Sequence, residues 1–443
     1  MPIFAAVFHK RMQQLSVAFD SLPVPVSLWK QKALAWAEAH HEAVAYYEPN
    51  QIPYRHQAFQ NILGVRARAE ATPGVDCAHS WQDLSLLLQQ QQQTPLLGFL
   101  TYDLKNGLEQ LQSHHPDFIG FPPLYFFRPE TWFVFDKAKV TIFSTVAQPQ
   151  VILQTINAWA FLTSFSENRL KTQARVSKEK YVQTVQQLRQ HILEGDVYEV
   201  NYCQEFYAEN AQLEPASLFW KLNAASPTPF AGFLKLQQKY LLCASPERFL
   251  KKEGNLLVSQ PIKGTSKRGS SPAEDLARRR ALASNEKEQA ENMMIVDLVR
   301  NDLNRVAETG SVQVEELFGL YGFKYVWQMI STVTGTLPAE VSAVSALQAA
   351  FPMGSMTGAP KIKALELIET YEQTKRGLYS GSFGYFLPNR DFDFNVVIRS
   401  LQYNATSGYV SFEVGSAITY DSDPEQEYQE CLLKAAAILK ILS

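Results

Sequence analysis

The stretch Asn285 to Val306, NEKEQAENMMIVDLVRNDLNRV, decides how the rest of the chain is read. Met293, Met294, Ile295, Val296, Leu298 and Val299 cover too much of a helix circumference for a surface helix. The spacing predicts a largely buried helix from about Asn285 to Ala307. Yet Glu288 and Glu291 stand three apart and share one face. Carboxylates drawn toward a core need cations or a metal ion, because unpaired buried charge is costly. The last helix, predicted over roughly Asp423 to Leu442, repeats the device. In DPEQEYQECLLKAAA, Glu427 and Glu430 are again three apart, and Lys434 follows. These pairs read either as solvated, salt-bridged faces or as the walls of a Mg²⁺ site.

Outward from that helix, Ser177 is a helix N-cap, Tyr181, Val185, Leu188 and Ile192 follow at helical spacing, and Gly195 ends the run. Strands are expected at Val197 to Phe206, Tyr240 to Ala244, Leu256 to Pro261, Gly381 to Phe386, Phe394 to Tyr403 and Val410 to Val414. A helix entered by Pro360 spans Ala359 to Thr370. Upstream, Gly98 to Leu104 and Leu124 to Phe135 are aromatic-rich and read as strands. Strands and helices come in clusters rather than strict alternation, which predicts α+β over a doubly wound parallel sheet. The 443 residues allow two or three domains or one large intertwined one. The polar stretch Ser164 to Lys180 places a boundary near residue 170, dividing 1–170 from 171–443.

A hydrophobic fraction of 46% with 19% charged residues excludes a disordered chain. Forty-one basic against 44 acidic residues give −3, which disfavours nucleic acid as a partner. No apolar run reaches the ~18 residues a membrane helix needs. The opening MPIFAAVFHKRMQQ has its charges after its apolar stretch, the reverse of a secretory signal. The expectation is a soluble, cytoplasmic protein with no membrane contact. Cys77, Cys203, Cys243 and Cys431 are far apart with no CxxC and read as small buried residues. The glutamine run Gln89 to Gln93 reads as a solvated helix end or loop. All eight histidines lie before residue 192. Chemistry beyond that point must use carboxylates, lysine, tyrosine or backbone groups, and such ligands suit Mg²⁺ rather than zinc.

Two further segments carry chemistry. In SQPIKGTSKR, Ser259 to Arg268, Lys263 sits at a strand end with Gly264 directly after it. Desolvated and near Lys267 and Arg268, this amine would have a lowered pKa and act as a nucleophile. The alternative is an ordinary anion-binding or surface lysine. In PMGSMTGAPK, Pro352 to Lys361, glycines, hydroxyls and a lysine at a helix start read as an anion cradle or as a plain glycine-rich turn.

Six ordered motifs resemble those of the chorismate-utilising enzymes, which include anthranilate, aminodeoxychorismate, isochorismate and salicylate synthases. They are SPERFL (245–250), PIKGT (261–265), AENMMIVDLVRNDL (290–303), GSMTGAPK (354–361), RGLYSGSFGY (376–385) and DSDPEQEYQE (421–430). The resemblance runs from Ser177 to Ile441, and more faintly through GFLTYDL in the N-terminal part. It implies an anthranilate synthase component I-like fold, a large intertwined two-part α+β architecture of packed antiparallel-rich sheets flanked by helices. The lysine of PIKGT resembles the aminodeoxychorismate-forming branch, where anthranilate synthases carry alanine. That implies attack of Lys263 on C2 of chorismate with loss of the C4 hydroxyl, then addition of ammonia at C4, in p-aminobenzoate and folate biosynthesis.

The resemblance further implies Glu247 as general acid/base, Glu291 and Glu430 as Mg²⁺ ligands, and Glu288 and Glu427 as outer partners of the ion. Thr265, Tyr379, Arg399, Gly415 and Lys434 would contact the substrate's carboxylates. There are three departures. Gln328 stands where the family has histidine, so the departing hydroxyl needs help from Glu247 or water. Glu199 stands where aminating members carry glutamine, and its role is open. Gly415-Ser416-Ala417 replaces a GAG triplet. No cysteine lies in a GxCxG elbow, which implies free ammonia or a separate glutamine amidotransferase subunit. Ala225 to Gly232, ASPTPFAG, is a structural loop or the site of a bound aromatic ligand. The competing expectations are anthranilate synthesis or another chorismate conversion, and a non-catalytic chorismate-binding protein.

Overall fold

The computed structural model describes residues 12–69, 77–90, 93–160 and 170–442. The start of the chain, Gln91 and Gln92 of the glutamine run, and the first residues of the expected 164–180 boundary lie outside them, as does the side chain of Cys77.

Alternation along one strand reveals the layers. Every residue of Ala43–Glu48 is buried. Tyr46 packs with Trp29, Phe133 and Phe219, while its neighbour Tyr47 faces the other way, among Phe59, Phe99 and Phe383. A strand buried on both faces needs a covering layer on each side. Ala43–Glu48 belongs to a twelve-stranded sheet, with helices on one face and a nine-stranded sheet on the other. The far face of the nine-stranded sheet is covered in turn. Ile295, Val296 and Val299 of helix Glu286–Asn304 and Leu347 of helix Ala343–Ala350 pack on Leu250, Leu257 and Val333. The order is helices, sheet, sheet, helices, the α+β architecture expected.

Both sheets draw strands from either side of residue 170. Ala43–Glu48 pairs antiparallel with Phe230–Leu236, and Leu96–Leu100 pairs antiparallel with Ser382–Phe386. The helix Lys178–Leu193 is capped as expected, with Ser177 Oγ accepting the Lys180 N–H at 3.3 Å. Asn285 caps Glu286–Asn304 in the same way through the Glu288 N–H.

Phe394 to Tyr403, expected as one strand, is two. Phe392–Asn395 lies in the nine-stranded sheet and Ser400–Asn404 in the twelve-stranded one. The chain crosses between the sheets over Val396 to Arg399, and Arg399 turns through a left-handed conformation, φ 53°. Apolar character continues through the crossing, so periodicity does not betray it. Likewise Gly98 to Leu104 divides into the strand Leu96–Leu100 and a helical turn at Tyr102–Leu104. Among the described residues, no helix is long and apolar enough to cross a membrane.

Candidate active site

A cavity of about 1730 Å³ is bounded by strand Ile262–Lys267, helix Glu286–Asn304, strand Tyr409–Ile418 and helix Pro424–Leu442. Every expected site residue lines it: Lys263, Glu247, Thr265, Tyr379, Arg399, Gly415, Lys434, Glu288, Glu291, Glu427 and Glu430. Seven separate segments of the sequence converge there.

Lys263 is fixed from below by the apolar helix. Asn292 Nδ2 donates to the Lys263 carbonyl at 3.1 Å, and Asn292 is only 1% exposed. Gly264 lets the strand pass close over that helix. Its φ is +99°, and a Cβ there would sit 3.2 Å from Glu288 Oε2. The Lys263 side chain, 10% exposed, extends to Glu199, and Nζ lies 2.6 Å from Glu199 Oε1. Glu199 is fully buried, and its second oxygen, Oε2, has no hydrogen-bond donor among the described residues.

This corrects the expected basis for Lys263 reactivity. Its charged neighbours are anions, not cations. Burial favours the neutral amine, but the charges of Glu199 and Glu291, the Glu199 hydrogen bond and Glu247 together hold the ammonium above its ordinary range. The two cations that follow it are engaged elsewhere or exposed. Arg268 forms a two-pronged pair with Asp275, both contacts at 2.7 Å, and Lys267 is exposed.

Glu247 is held by its neighbour in the chain. Arg248 is buried, pairs with Asp393 through two contacts of 2.9 Å, and reaches Gln260 and the Gln57 carbonyl. The Glu247 carbonyl accepts the Val396 N–H at 3.0 Å. Burial pushes the Glu247 carboxyl up to about 7, against the pull of the Lys263 charge among others.

The acidic residues divide by environment. Burial pushes Glu291 up to about 7 despite Lys263. Glu288 is raised by burial and by the charge of Glu430 across the cavity. Partial desolvation works against the Glu430 carboxylate, whose side chain stays 52% exposed, but Lys434 at 2.7 Å outweighs it and leaves the group below its usual range. Glu427 accepts from Ser422 Oγ at 2.7 Å. Among the described residues, only His191, Glu194 and Asp196, away from this cavity, bring three metal-capable atoms within 4.8 Å of one another. Carboxylates facing one cavity, Glu427 buried, Glu288 and Glu291 half-buried and Glu430 exposed, with no histidine or cysteine among them, fit a hard divalent cation.

Arg399 makes no hydrogen bond or ion pair with a described side chain, although the charges of Tyr379 and Glu430 are near. Lys434 also donates to the Gly415 carbonyl at 2.9 Å. The Tyr379 hydroxyl lies 3.8 Å from Cys203 Sγ, and Tyr379 lines the cavity. Gln328 is buried, stands opposite Thr265 in the strand register, and presents an unpaired Oε1. Ala225 to Thr228 of the proline-containing loop line the same cavity.

Of the GSMTGAPK segment, Ser355 and Met356 line the cavity, but the lysine expected for an anion cradle is not available to it. Lys361 is spent on Asp302 at 2.7 Å. Gly358 and Ala359 instead form a short strand against Glu199 and Val200. A Cβ on Gly358, φ +147°, would sit 2.1 Å from the Glu199 carbonyl, so only glycine permits this pairing. The motif fixes the backbone that carries Glu199. Arg376 reinforces it from behind, donating to the Met356 carbonyl at 2.7 Å and the Asn201 carbonyl at 2.9 Å while paired with Glu372. Arg376 and Asn292 were not singled out from the sequence. A polar asparagine on the buried face of an apolar helix was the available signal for the second.

A family model described as chorismate binding enzyme matches residues 42–440. A rice protein, "Probable aminodeoxychorismate synthase, chloroplastic", is 42% identical over 291 residues, 65% of this chain. This chain spans about a third (32%) of that relative's length. Aminodeoxychorismate synthase component 1 of Bacillus subtilis is 34% identical over 361 residues, covering 78% of this chain and 76% of its own. The crystal structure of anthranilate synthase component I from Streptococcus pneumoniae superposes with a TM-score of 0.74 at 27% identity, over 89% of this chain and 90% of that one.

Proposed function

The chain belongs to the chorismate binding enzyme family, and from that premise we propose that it aminates chorismate to 4-amino-4-deoxychorismate as an aminodeoxychorismate synthase component 1. The observation that carries this reading is Lys263 Nζ, held within the cavity with Glu247 and Glu291 beside it. Anthranilate formation does not need an amine at this position. An enzyme that forms its intermediate on lysine does.

The roles follow from the environments. Arg399, with no side-chain hydrogen bond or ion pair among the described residues, suits a substrate carboxylate through its planar fork of donors. Lys434, Thr265, Tyr379 and Gly415 stand around the same space. Lys263 attacks C2, the ring double bonds shift toward C4, and the C4 hydroxyl departs. Gln328 cannot give up a proton at neutral pH, so that task falls to Glu247. A carboxyl titrating near 7 is present in both forms in neutral solution, so it can protonate the leaving hydroxyl and later accept a proton from the incoming nitrogen. Glu291 and Glu430 would hold Mg²⁺, with Glu288 and Glu427 behind them. When bound, the ion supplies the positive charge that lets an anionic substrate enter among carboxylates. The nitrogen arrives as ammonia, from solution or from a glutamine amidotransferase subunit, since this chain carries no thiol elbow of its own.

The test is incubation with chorismate, ammonium and Mg²⁺, followed by chromatography. Aminodeoxychorismate, converted to p-aminobenzoate by an added lyase, is the expected product. Anthranilate would replace this reading with the sister activity, and binding without turnover would make the chain a chorismate-binding protein.

A further inference from the structure

A lysine cannot attack carbon while it carries its full complement of protons. In this chain the amine is held as an ammonium by the anions around it, so the resting site is one proton away from a nucleophile. That proton needs a destination. Lys263 is 10% exposed on its side chain and Glu199 is 0% exposed, and at 2.6 Å no water fits between them.

We infer that Glu199 is the base that takes the proton from Lys263 and returns it at the end of the cycle. Three observations support it. Glu199 Oε1 is in direct contact with Nζ. Glu199 Oε2 receives no hydrogen bond among the described residues, so none of them competes with the Lys263 proton for this carboxylate. The backbone of Glu199 is locked by pairing with Gly358 and Ala359, so the carboxylate is held in place and not on a flexible arm. Glu247 is not the acceptor, because its proton is required by the departing hydroxyl.

This inference rests on the amination reading. In its terms, the Lys263 ammonium gives one proton to Glu199 Oε1, and the freed lone pair forms the N–C2 bond. The ring electrons shift, the C4–O bond breaks, and Glu247 protonates the hydroxyl, which leaves as water. Ammonia then forms the N–C4 bond, the electrons shift back, and the C2–N bond breaks to release neutral Lys263. Glu247 recovers a proton from the new ammonium group, and Glu199 returns its own to Lys263. The net change is chorismate plus ammonia to aminodeoxychorismate plus water.

The experiment compares wild type, Glu199→Gln and Glu199→Asp in steady-state amination from about pH 6 to about pH 10. In the wild type the proton stays inside the pair, so titration of Lys263 leaves no rising limb. In Glu199→Gln it must go to solvent. The expected result is turnover lowered about a hundredfold near neutral pH, the lower end for a positioned base, and climbing back as pH rises. Glu199→Asp keeps a carboxylate and should keep the wild-type shape at a reduced rate. A Glu199→Gln variant that is unchanged, faster, or slowed equally at every pH overturns the inference, because a merely structural partner would do one of these. Should that variant not fold, the wild type alone decides. Adduct formation on Lys263 without ammonia, followed by intact-protein mass spectrometry, should show no limb at the lysine titration. Such a limb would overturn it. If wild type makes no aminodeoxychorismate at all, it is the amination reading that has failed.

Discussion

Asn292 stands between two strands, donating to the Lys263 carbonyl at 3.1 Å while its Oδ1 accepts from Ser331 Oγ at 2.6 Å. The helix that presents Glu288 and Glu291 to the cavity therefore also grips the strand that presents Lys263. Lys263 and the acidic wall are set at one spacing by a single amide.

Replacing that amide removes the donor to the Lys263 carbonyl and the acceptor of the buried Ser331 hydroxyl, which then keeps only the N–H it accepts from Phe318. Asn292→Ala should destabilise the fold by about 1–3 kcal/mol, the cost of unsatisfied buried hydrogen-bonding groups. Urea denaturation measures it. A loss below a few tenths would mean that water takes over both contacts and that the amide does not set the spacing.

Lys263→Ala should abolish amination while leaving chorismate binding close to wild type, since Arg399 and Lys434 remain. Lys263→Arg should not rescue it, because a guanidinium stays protonated and is no nucleophile. Product assays and titration calorimetry separate the two effects. Amination by the alanine variant at wild-type rate would remove covalent catalysis from the account.

Much of this site was legible before the fold was known, and for a physical reason. Carboxylates three apart on apolar helices are locally anomalous, and a lysine beside a glycine at a strand end is too. Local anomalies survive in a linear reading. The pairing of Lys263 with Glu199 did not, because the two lie 64 residues apart on different sheets. The expectation that Lys267 and Arg268 would tune Lys263 took closeness in sequence for closeness in space. The strand change at Val396 to Arg399 was hidden because residues on both sides are equally buried, and period two cannot show which sheet a strand joins. The layered order was legible only as α+β, since antiparallel pairing among this many strands depends on contacts far apart in the chain.

Glu247 ties stability to pH. Its folded-state pKa, about 7, lies above the ordinary carboxylate value of 4.5. The folded protein then binds more protons than the unfolded chain between those two values, so stability falls as pH rises through that window and levels off above it. Glu247→Gln removes the dependence. It should leave stability near pH 4 unchanged and raise it near pH 8 by on the order of 2–4 kcal/mol. The same change should cost about 10²–10⁴ in turnover through loss of the general acid. Thermal or urea unfolding at the two pH values, alongside the amination assay, checks both signs. Equal stability changes at both pH values would mean that Glu247 is ionised in the fold.

The acidic wall gives the last prediction, and its sign also follows from protonation. Mg²⁺ binds ionised carboxylates, and Glu291, pushed up to about 7 by burial, is largely protonated in mildly acidic solution. Protons and a bound Mg²⁺ would therefore compete for the same oxygens. Adding Mg²⁺ should raise the unfolding temperature clearly near pH 8 and hardly at all near pH 5. At a hundredfold excess over its dissociation constant the ion should contribute about 2.7 kcal/mol. Glu291→Gln and Glu430→Gln should each remove most of that gain. The surface group of His191, Glu194 and Asp196 is the control, since His191→Ala should leave the gain intact. A Mg²⁺ effect that survives both glutamine variants and disappears with His191→Ala would place the cation outside the cavity, and the substrate would then meet the carboxylates without it.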